Sequence, residues 1–293
     1  IFNNIYFLQY LINNFSKYPF DNIYILTGYK SDIIFKNFHN KTFNFTKIIC
    51  LKEKKLMGTG GALLNLKKTK INDFVLINGD TIFDIDLKDF ITSYKKNKIG
   101  CMAVASNRKN TNSYKLNNLT LKKSLLSYKK KGNVMNGGIY FFKKKLINLI
   151  PNKPSSLEDD ILPLIIKKKL ISGKFYKNFF LDIGTPKYLK KAELSLKNYF
   201  NKPAAFLDRD GVINKKINQG YVLKKKDLKL RLGTSRAIKY LNKKKFLVIV
   251  ITNQACIGKG LITEKDLEKI HYYMKSKIFE LSNGIVNDIF ISP

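Results

Sequence analysis

The feature that most constrains this chain is a set of short apolar runs, each ending on a residue able to do chemistry. Phe74-Val-Leu-Ile-Asn78 leads into Gly79-Asp80, and Phe180-Leu181 leads into Asp182. Ala204-Ala-Phe-Leu207 leads into Asp208-Arg-Asp210, and Phe246-Leu-Val-Ile-Val-Ile251 into Thr252. Runs this short and this apolar read as strands buried on both faces. They alternate with stretches of helical spacing at 6–15, 62–68, 186–199, 234–241 and 264–281. Further strands are expected at 22–27, 45–50, 102–105, 138–142 and 174–181, with a last one starting at Asp288. The alternation predicts an α/β class built on a mostly parallel sheet with helices on both faces. In such folds ligands lie beyond the carboxyl ends of strands, which is where Gly28, Asp80 and Asp182 fall.

The order restarts once. A helical pattern runs out near Tyr199, Pro203 interrupts it, and a new strand opens at Ala204. Two domains are therefore expected, 1–200 and 203–293, and a chain of 293 residues with 44% apolar content can give each a core.

Fifty-five basic residues face 21 acidic ones, a formal charge of +34. Such a field attracts polyanions. Only Arg108, Arg209, Arg231 and Arg236 are arginines, however, and Lys, Asn and Ile are abundant throughout. This suits a compositional drift with lysines on solvated faces. No nucleic-acid-binding motif accompanies the charge, so nucleic acid is not the expected partner, although the field would help recruit anionic sugar phosphates. Cys50, Cys101 and Cys256 stand far apart, which argues against disulfides and a structural zinc site and points to a cytoplasmic protein. No apolar run approaches ~18 residues and no signal-peptide pattern is present, so no membrane is expected. The chain opens at Ile1 and stops at Ser292-Pro293 in apparent mid-strand, and it reads as a piece of a longer protein.

Asp208 and Asp210 reach one site from a strand tip, and Gly211 permits the turn that follows. A carboxylate attacks phosphorus when the charges are neutralised, as by Mg²⁺, and a second carboxylate then serves as acid and base. Thr252, ending the neighbouring strand, offers a hydroxyl to a phosphoryl oxygen. Asn253 and Gln254 offer neutral contacts either to substrate or to the nucleophile loop.

Phe206-Leu-Asp-Arg-Asp-Gly-Val-Ile-Asn214, Gly220-Tyr-Val222 and Val250-Ile-Thr-Asn-Gln-Ala-Cys-Ile-Gly-Lys-Gly260 resemble the heptose-1,7-bisphosphate phosphatases, HAD-superfamily enzymes related to histidinol phosphatases. The resemblance spans 203–293, about the first half of such a domain. It implies a HAD-like fold with Asp208 as nucleophile, Asp210 as acid/base and Thr252 as phosphate ligand. It also implies Mg²⁺ on the Asp208 side chain and the Asp210 carbonyl. Asn253, Gln254 and Lys259 would meet substrate. Lys259 replaces the family's more usual Arg, keeping a cation without the bidentate fork. Ser292 stands where the family's zinc loop begins with Cys, which speaks against zinc. The family's later lysine and third magnesium acid would follow Pro293.

In the first domain, Leu56-Met-Gly-Thr-Gly-Gly61 precedes a helix, where backbone can approach a nucleotide and the helix start favours anions. Asp80 and Asp182, each at a strand end, suit a Mg²⁺ held between phosphates. With Leu26-Thr-Gly-Tyr29, Asn136-Gly-Gly-Ile-Tyr140, Ser156-Leu-Glu-Asp-Asp160 and Leu181-Asp-Ile-Gly-Thr-Pro186, these segments resemble the sugar-1-phosphate nucleotidyltransferases, nearest in flavour to the mannose/heptose-1-phosphate guanylyltransferases. The resemblance implies a GT-A-like, Rossmann-like domain. Its nucleotide site would use Gly58, Thr59, Gly60 and Gly61, its sugar site Gly138 and Glu158, and its Mg²⁺ site Asp80 and Asp182. Asp159 and Asp160 read as helix-start charges, stabilising by ~0.3–1 kcal/mol. The family's opening pyrophosphate loop would precede Ile1.

The combined reading is a bifunctional enzyme of nucleotide-activated heptose synthesis with two doubly wound domains. It would take sugar phosphates and a nucleoside triphosphate, with Mg²⁺ in both domains and the oligomeric state open. Two alternatives stay open: a histidinol-phosphatase-like domain fused to a mannose-type transferase, and a non-catalytic sugar-nucleotide binding or scaffold protein. His39 and His271 lack ligand partners in sequence and are read as surface or packing residues.

Overall fold

The computed structural model describes residues 6–106, 118–184 and 186–293, so Arg108 and Thr185 lie outside the described residues. In chain order the strands are β1 (Asn22–Thr27), β2 (Thr42–Phe43), β3 (Thr46–Lys52), β4 (Asp73–Ile77), β5 (Thr81–Phe83), β6 (Gly100–Ser106) and β7 (Leu119–Lys122). They continue as β8 (Leu125–Tyr128), β9 (Val134–Lys143), β10 (Ile171–Tyr176), β11 (Phe180–Asp182), β12 (Ala204–Leu207), β13 (Leu247–Asn253) and β14 (Asp288–Ser292). The chain divides into two compact units: Tyr24–His39 with Cys50–Ala192, and Ile1–Ile23 and Asn40–Ile49 with Glu193–Pro293. Among the described residues no helix is long and apolar enough to cross a membrane.

The first unit is built on a six-stranded sheet in the order β4-β9-β6-β10-β8-β7. β10 runs parallel to β6, whereas β9 is antiparallel to both β4 and β6. The expected mostly parallel sheet is therefore mixed. A strand buried on both faces is apolar whichever way its neighbours run, so composition could not reveal that β9 enters reversed. Met102, Val104, Tyr140 and Phe142 from this sheet pack with Leu146, Ile147, Ile161 and Ile165.

The single strand expected over 174–181 is two. β10 belongs to the six-stranded sheet, and β11 leaves it to pair antiparallel with β5. The exposed Lys177-Asn178 step separates them. This exchange of partners sets Asp182 opposite Thr81.

In the second unit β12, β13 and β14 form a parallel sheet in sequence order. Helices Thr234–Lys243 and Glu264–Ser282 form the two connections. Right-handed crossovers that step the same way along a sheet place their helices on the same face. The opposite face shows this: Phe206, Ile251 and Phe290 are all more than half exposed. The expected covering of both faces, and with it the doubly wound form, is thus not reached within the described residues. On the covered face Val248 and Val250 pack with Ile238, Ile270, Met274 and Ile278. Helix Glu264–Ser282 begins with Thr263 accepting from Asp266 N, and it ends on Asn283 in the left-handed region at φ 63°.

Between Met102 and Val104 the β6–β9 register shifts opposite Gly137. A Cβ at Gly137 would lie 2.4 Å from the Phe83 ring and 2.7 Å from Ala103 O. Gly137→Ala should therefore destabilise the first unit by about 1–3 kcal/mol, as overpacked cores do. Gly79→Ala, with nothing within 4 Å of its Cβ, should leave the melting temperature nearly unchanged in the same thermal denaturation.

Candidate functional site

In the first unit the two acids are delivered by different elements to one point. Asn78 N donates to Gly138 O at 2.9 Å, anchoring the turn that carries Asp80, and Ile183 N donates to Asp80 O at 2.9 Å. The chain then turns at Gly184, whose N–H donates to Asp182 Oδ1 at 2.7 Å. A Cβ at Gly184 would stand 2.8 Å from Asp80 Oδ2 and 3.1 Å from Asp182 Oδ1, so both carboxylates face the same small volume. Burial raises the Asp182 pKa and the charge of Asp80 adds to this, against the Gly184 hydrogen bond. Two converging carboxylates suit a hard divalent cation. Among the described residues no three acid, His or Cys side chains cluster as a metal site. The remaining oxygens for Mg²⁺ would therefore come from substrate phosphate and water, its usual supply.

Gly58–Gly61 forms one helical turn that runs into a 3₁₀ helix, Ala62–Lys68. The N–H groups of Gly60 and Gly61 donate to Ser155 O at 2.9 and 3.2 Å. A Cβ at Gly58, which has φ +73°, would lie 2.6 Å from that same oxygen. The glycines thus let the 155–158 segment lie directly on the loop. Two of the donors expected to face an anion are engaged inside the protein. Thr59 Oγ1 accepts from Leu157 N at 2.8 Å and donates to Glu158 Oε2 at 2.9 Å, bringing the expected nucleotide and sugar residues together. Gly138 sits against Asn78 at φ +69°. Asp159 N and Asp160 Oδ2 both bond to Ser156, as helix-start acids do.

Sequence reasoning passed over Glu53. Its N–H donates to Thr27 O at 2.9 Å, setting it at the adjoining ends of β1 and β3. A Cβ at Gly28 would stand 2.7 Å from Glu53 Oε2, which is why the backbone there must be bare. Glu53 Oε1 is buried with no hydrogen-bond partner. Burial raises this carboxyl's pKa, against a backbone hydrogen bond from Met57. A buried carboxylate oxygen left without a donor costs stability and marks a place where a ligand can supply one. The available signal was an acid just past a strand end and ahead of the glycine loop.

In the second unit the loop after β12 wraps around Arg209. Ile213 N and Asn214 N donate to Arg209 O at 2.9 and 3.0 Å, and Gly211 turns at φ +94°. Asp208 is exposed, and its Oδ1 accepts from Arg209 N at 2.6 Å. The Arg209 side chain is wholly buried. Its Nε and Nη2 donate to Asp210 Oδ2 at 3.1 and 2.7 Å, and Nη1 donates to His271 Nε2 at 3.1 Å. Asn214 Nδ2 reaches Asp210 Oδ1 at 2.9 Å, and Gln254 Nε2 lies 3.0 Å from Asp210 Oδ2 and 2.9 Å from Thr252 Oγ1. Burial works to raise the Asp210 pKa, but Arg209, Asn214 and Gln254 outweigh it and hold the group below the ordinary carboxylate range. As held, Asp210 is an ionised acceptor. Gln254 thus joins Asp210, in the loop after β12, to buried Thr252. The Lys259 Nζ lies 2.9 Å from the Tyr221 hydroxyl. Ser292 O accepts from Gln254 N at 2.6 Å. The three cysteines are free and buried.

His271 was read as a surface or packing residue, and it is buried and bonded to the site. The signal was its position on the apolar stripe Leu267, Ile270, Met274, Ile278, where a polar ring needs a partner. His39 is a packing residue, stacked on Phe35 and accepting from Cys50 N.

A model of the nucleotidyl transferase family matches residues 2–198. The chain belongs to the nucleotidyl transferase family. It is 29% identical over 203 residues, 66% of the chain, to 86% of a D-glycero-alpha-D-manno-heptose 1-phosphate guanylyltransferase of Aneurinibacillus thermoaerophilus. The solved structure of HddC from Yersinia pseudotuberculosis, complexed with GMP-PN, shares the fold at TM-score 0.53 and 24% identity, covering 65% of this chain and 84% of that one. Over 92 residues, 31% of the chain, the sequence is 40% identical to a D-glycero-beta-D-manno-heptose-1,7-bisphosphate 7-phosphatase of Rhodopseudomonas palustris. There the match spans about half the relative's length, 49%.

The buried imidazole makes folding pH-dependent. Burial and the neighbouring Arg209 charge lower the His271 pKa to about 4, so the folded state holds it neutral while the unfolded chain protonates it near 6.5. Stability from this group is therefore complete above about 6.5 and is lost as pH falls toward 4. Denaturant titrations should show a loss on the order of 2–3 kcal/mol across that window. Replacing His271→Gln should remove this part of the slope.

Proposed function

We propose that this nucleotidyltransferase joins a guanosine nucleotide to a heptose 1-phosphate, releasing pyrophosphate. We propose also that its C-terminal unit is a HAD-type phosphatase that removes the 7-phosphate of a heptose 1,7-bisphosphate. The observation that carries the first activity is the convergence of Asp80 and Asp182 beside Gly184 in a chain of this family. Mg²⁺ held there would neutralise the triphosphate and the attacking sugar phosphate. The sugar phosphate oxygen bonds to the α-phosphorus as the bond to pyrophosphate breaks. Glu158, held by Thr59, would accept from sugar hydroxyls. Guanine is favoured by Glu53: its N1–H and 2-amino group are adjacent donors that one carboxylate accepts together, whereas adenine presents an acceptor at N1.

The phosphatase reading is supported by the partial likeness and by the exposed Asp208 carboxylate just past β12, the strand that runs parallel to β13 with its buried Thr252. Asp208 attacks phosphorus, the sugar oxygen leaves and takes a proton, and water then hydrolyses the aspartyl-phosphate. Mg²⁺ on Asp208 and the Asp210 carbonyl would offset the repulsion between carboxylate and phosphate. Asp210, ionised at rest, is suited to activating that water, and to protonate the leaving oxygen it must first take up a proton from solvent as its donors regroup around substrate.

Each activity should fail separately in the complete protein that carries this chain. Asp182→Asn is expected to lower pyrophosphate release by at least ~100-fold and leave phosphate release intact. Asp208→Asn should do the reverse, removing phosphate release by a comparable ~100-fold or more. Parallel loss of both activities in either variant would overturn the assignment. With GTP and ATP compared, Glu53→Gln should reduce the GTP preference by about 10-fold or more, since one acceptor becomes a donor. An unchanged ratio would remove Glu53 from base recognition.

A further inference from the structure

The buried cluster behind Asp210 contains a residue that neither proposed reaction uses. His271 stands on the face of helix Glu264–Ser282 that is anchored in the core by Leu267, Ile270, Met274 and Ile278. A guanidinium only donates, so the 3.1 Å contact with Arg209 Nη1 makes His271 Nε2 an acceptor, which requires the Nδ1–H tautomer. Arg209 has two of its remaining nitrogens on the one oxygen, Asp210 Oδ2. Those bonds define a line to the carboxylate and leave the guanidinium plane free to swing about it. The third bond, from the rigid helix, removes that freedom. Gln254 and Asn214 then complete the carboxylate's surroundings from β13 and from the loop itself.

We propose that His271 is a positioning residue that, through Arg209, fixes the Asp210 carboxylate. Its catalytic importance rests on the phosphatase reading, and its geometry does not. A packing residue on an apolar stripe would be replaced without loss by Leu, whereas a positioning acceptor is replaced by Gln, whose amide oxygen can receive the same donor. With the acceptor gone, a buried Arg209 N–H is left unsatisfied and the guanidinium tilts toward whatever oxygen is near.

The chain has two histidines, so the imidazole nitrogens can be assigned by ¹⁵N NMR with His39→Gln as reference. The expected result is an unprotonated Nε2 and a protonated Nδ1 on His271, with a slowly exchanging Arg209 Nε–H. That slow exchange should persist in His271→Gln and vanish in His271→Leu. A protonated Nε2, or equal Arg209 exchange in the two variants, overturns the proposal. With heptose 1,7-bisphosphate as substrate, His271→Leu should lower kcat by about 10-fold or more with KM within about 2-fold, and Gln should restore kcat to within about 3-fold. Equal kcat losses in both variants would make the role merely structural and also overturn it. If the complete protein that carries this chain releases no phosphate, the phosphatase reading falls, and the imidazole and guanidinium spectra still decide the positioning. If the Leu variant does not fold, the tautomer in the unaltered chain and the exchange in the Gln variant decide it.

Discussion

A carboxylate at the end of a buried strand is costly unless donors or cations face it, and much of the site architecture here answers that cost. The strands of α/β proteins end where the chain must turn and where ligands enter, so acids placed there are half withdrawn from water. Asp182 and Asp210 share this position and meet it in opposite ways. Asp210 is surrounded by Arg209, Asn214 and Gln254, and its pKa lies low despite burial. Asp182 has a backbone N–H on one side and the like charge of Asp80 on the other, and its pKa lies high. The first carboxylate is satisfied by the protein, and the second is the one that the proposed Mg²⁺ would complete.

Arg209 shows how the satisfied case is built. A wholly buried guanidinium would itself be destabilising if left alone, and removing one partner of such a pair generally costs several kcal/mol, about 3–5. Here the charge is neutralised by the adjacent Asp210, and its outward nitrogen by a neutral imidazole from a different element. The low His271 pKa follows from the same arrangement, because a second cation beside Arg209 in a buried place is disfavoured. Cation, anion and imidazole therefore hold one another's charge state as well as position.

Glycine serves the unsatisfied case. Gly184 leaves room between two carboxylates, Gly28 leaves room beside Glu53, and Gly58 accommodates the carbonyl of Ser155. At each point a side chain would collide with a carboxylate or a carbonyl that the fold sets there. The loop read as a nucleotide cradle is in part a packing device, since the Ser155 carbonyl takes two of its donors. Its glycines were visible in sequence, but the partner they made room for lies far along the chain.

Much of the local structure was legible from the residues alone. The α/β class, the strands at 22–27 and 204–207, the long helix from Glu264 and the acids at strand tips all follow from apolar runs, helical spacing and turn residues, which act over a few positions. What the residues could not state is direction and partnership. β9 is equally apolar read either way, and the 174–181 segment is one run that feeds two sheets. Glu53 was passed over, and His271 read only as a surface or packing residue, for the same reason: an acid past a strand and a ring on a helix gain meaning from atoms distant in sequence. The sequence by itself determined which elements form and which residues carry chemistry, because propensity and patterning are short-range. Only the tertiary structure decided that Asp80 meets Asp182 and that His271 meets Arg209. Burial and charge pairing are settled between elements, where the number and direction of donors at each carboxylate are set.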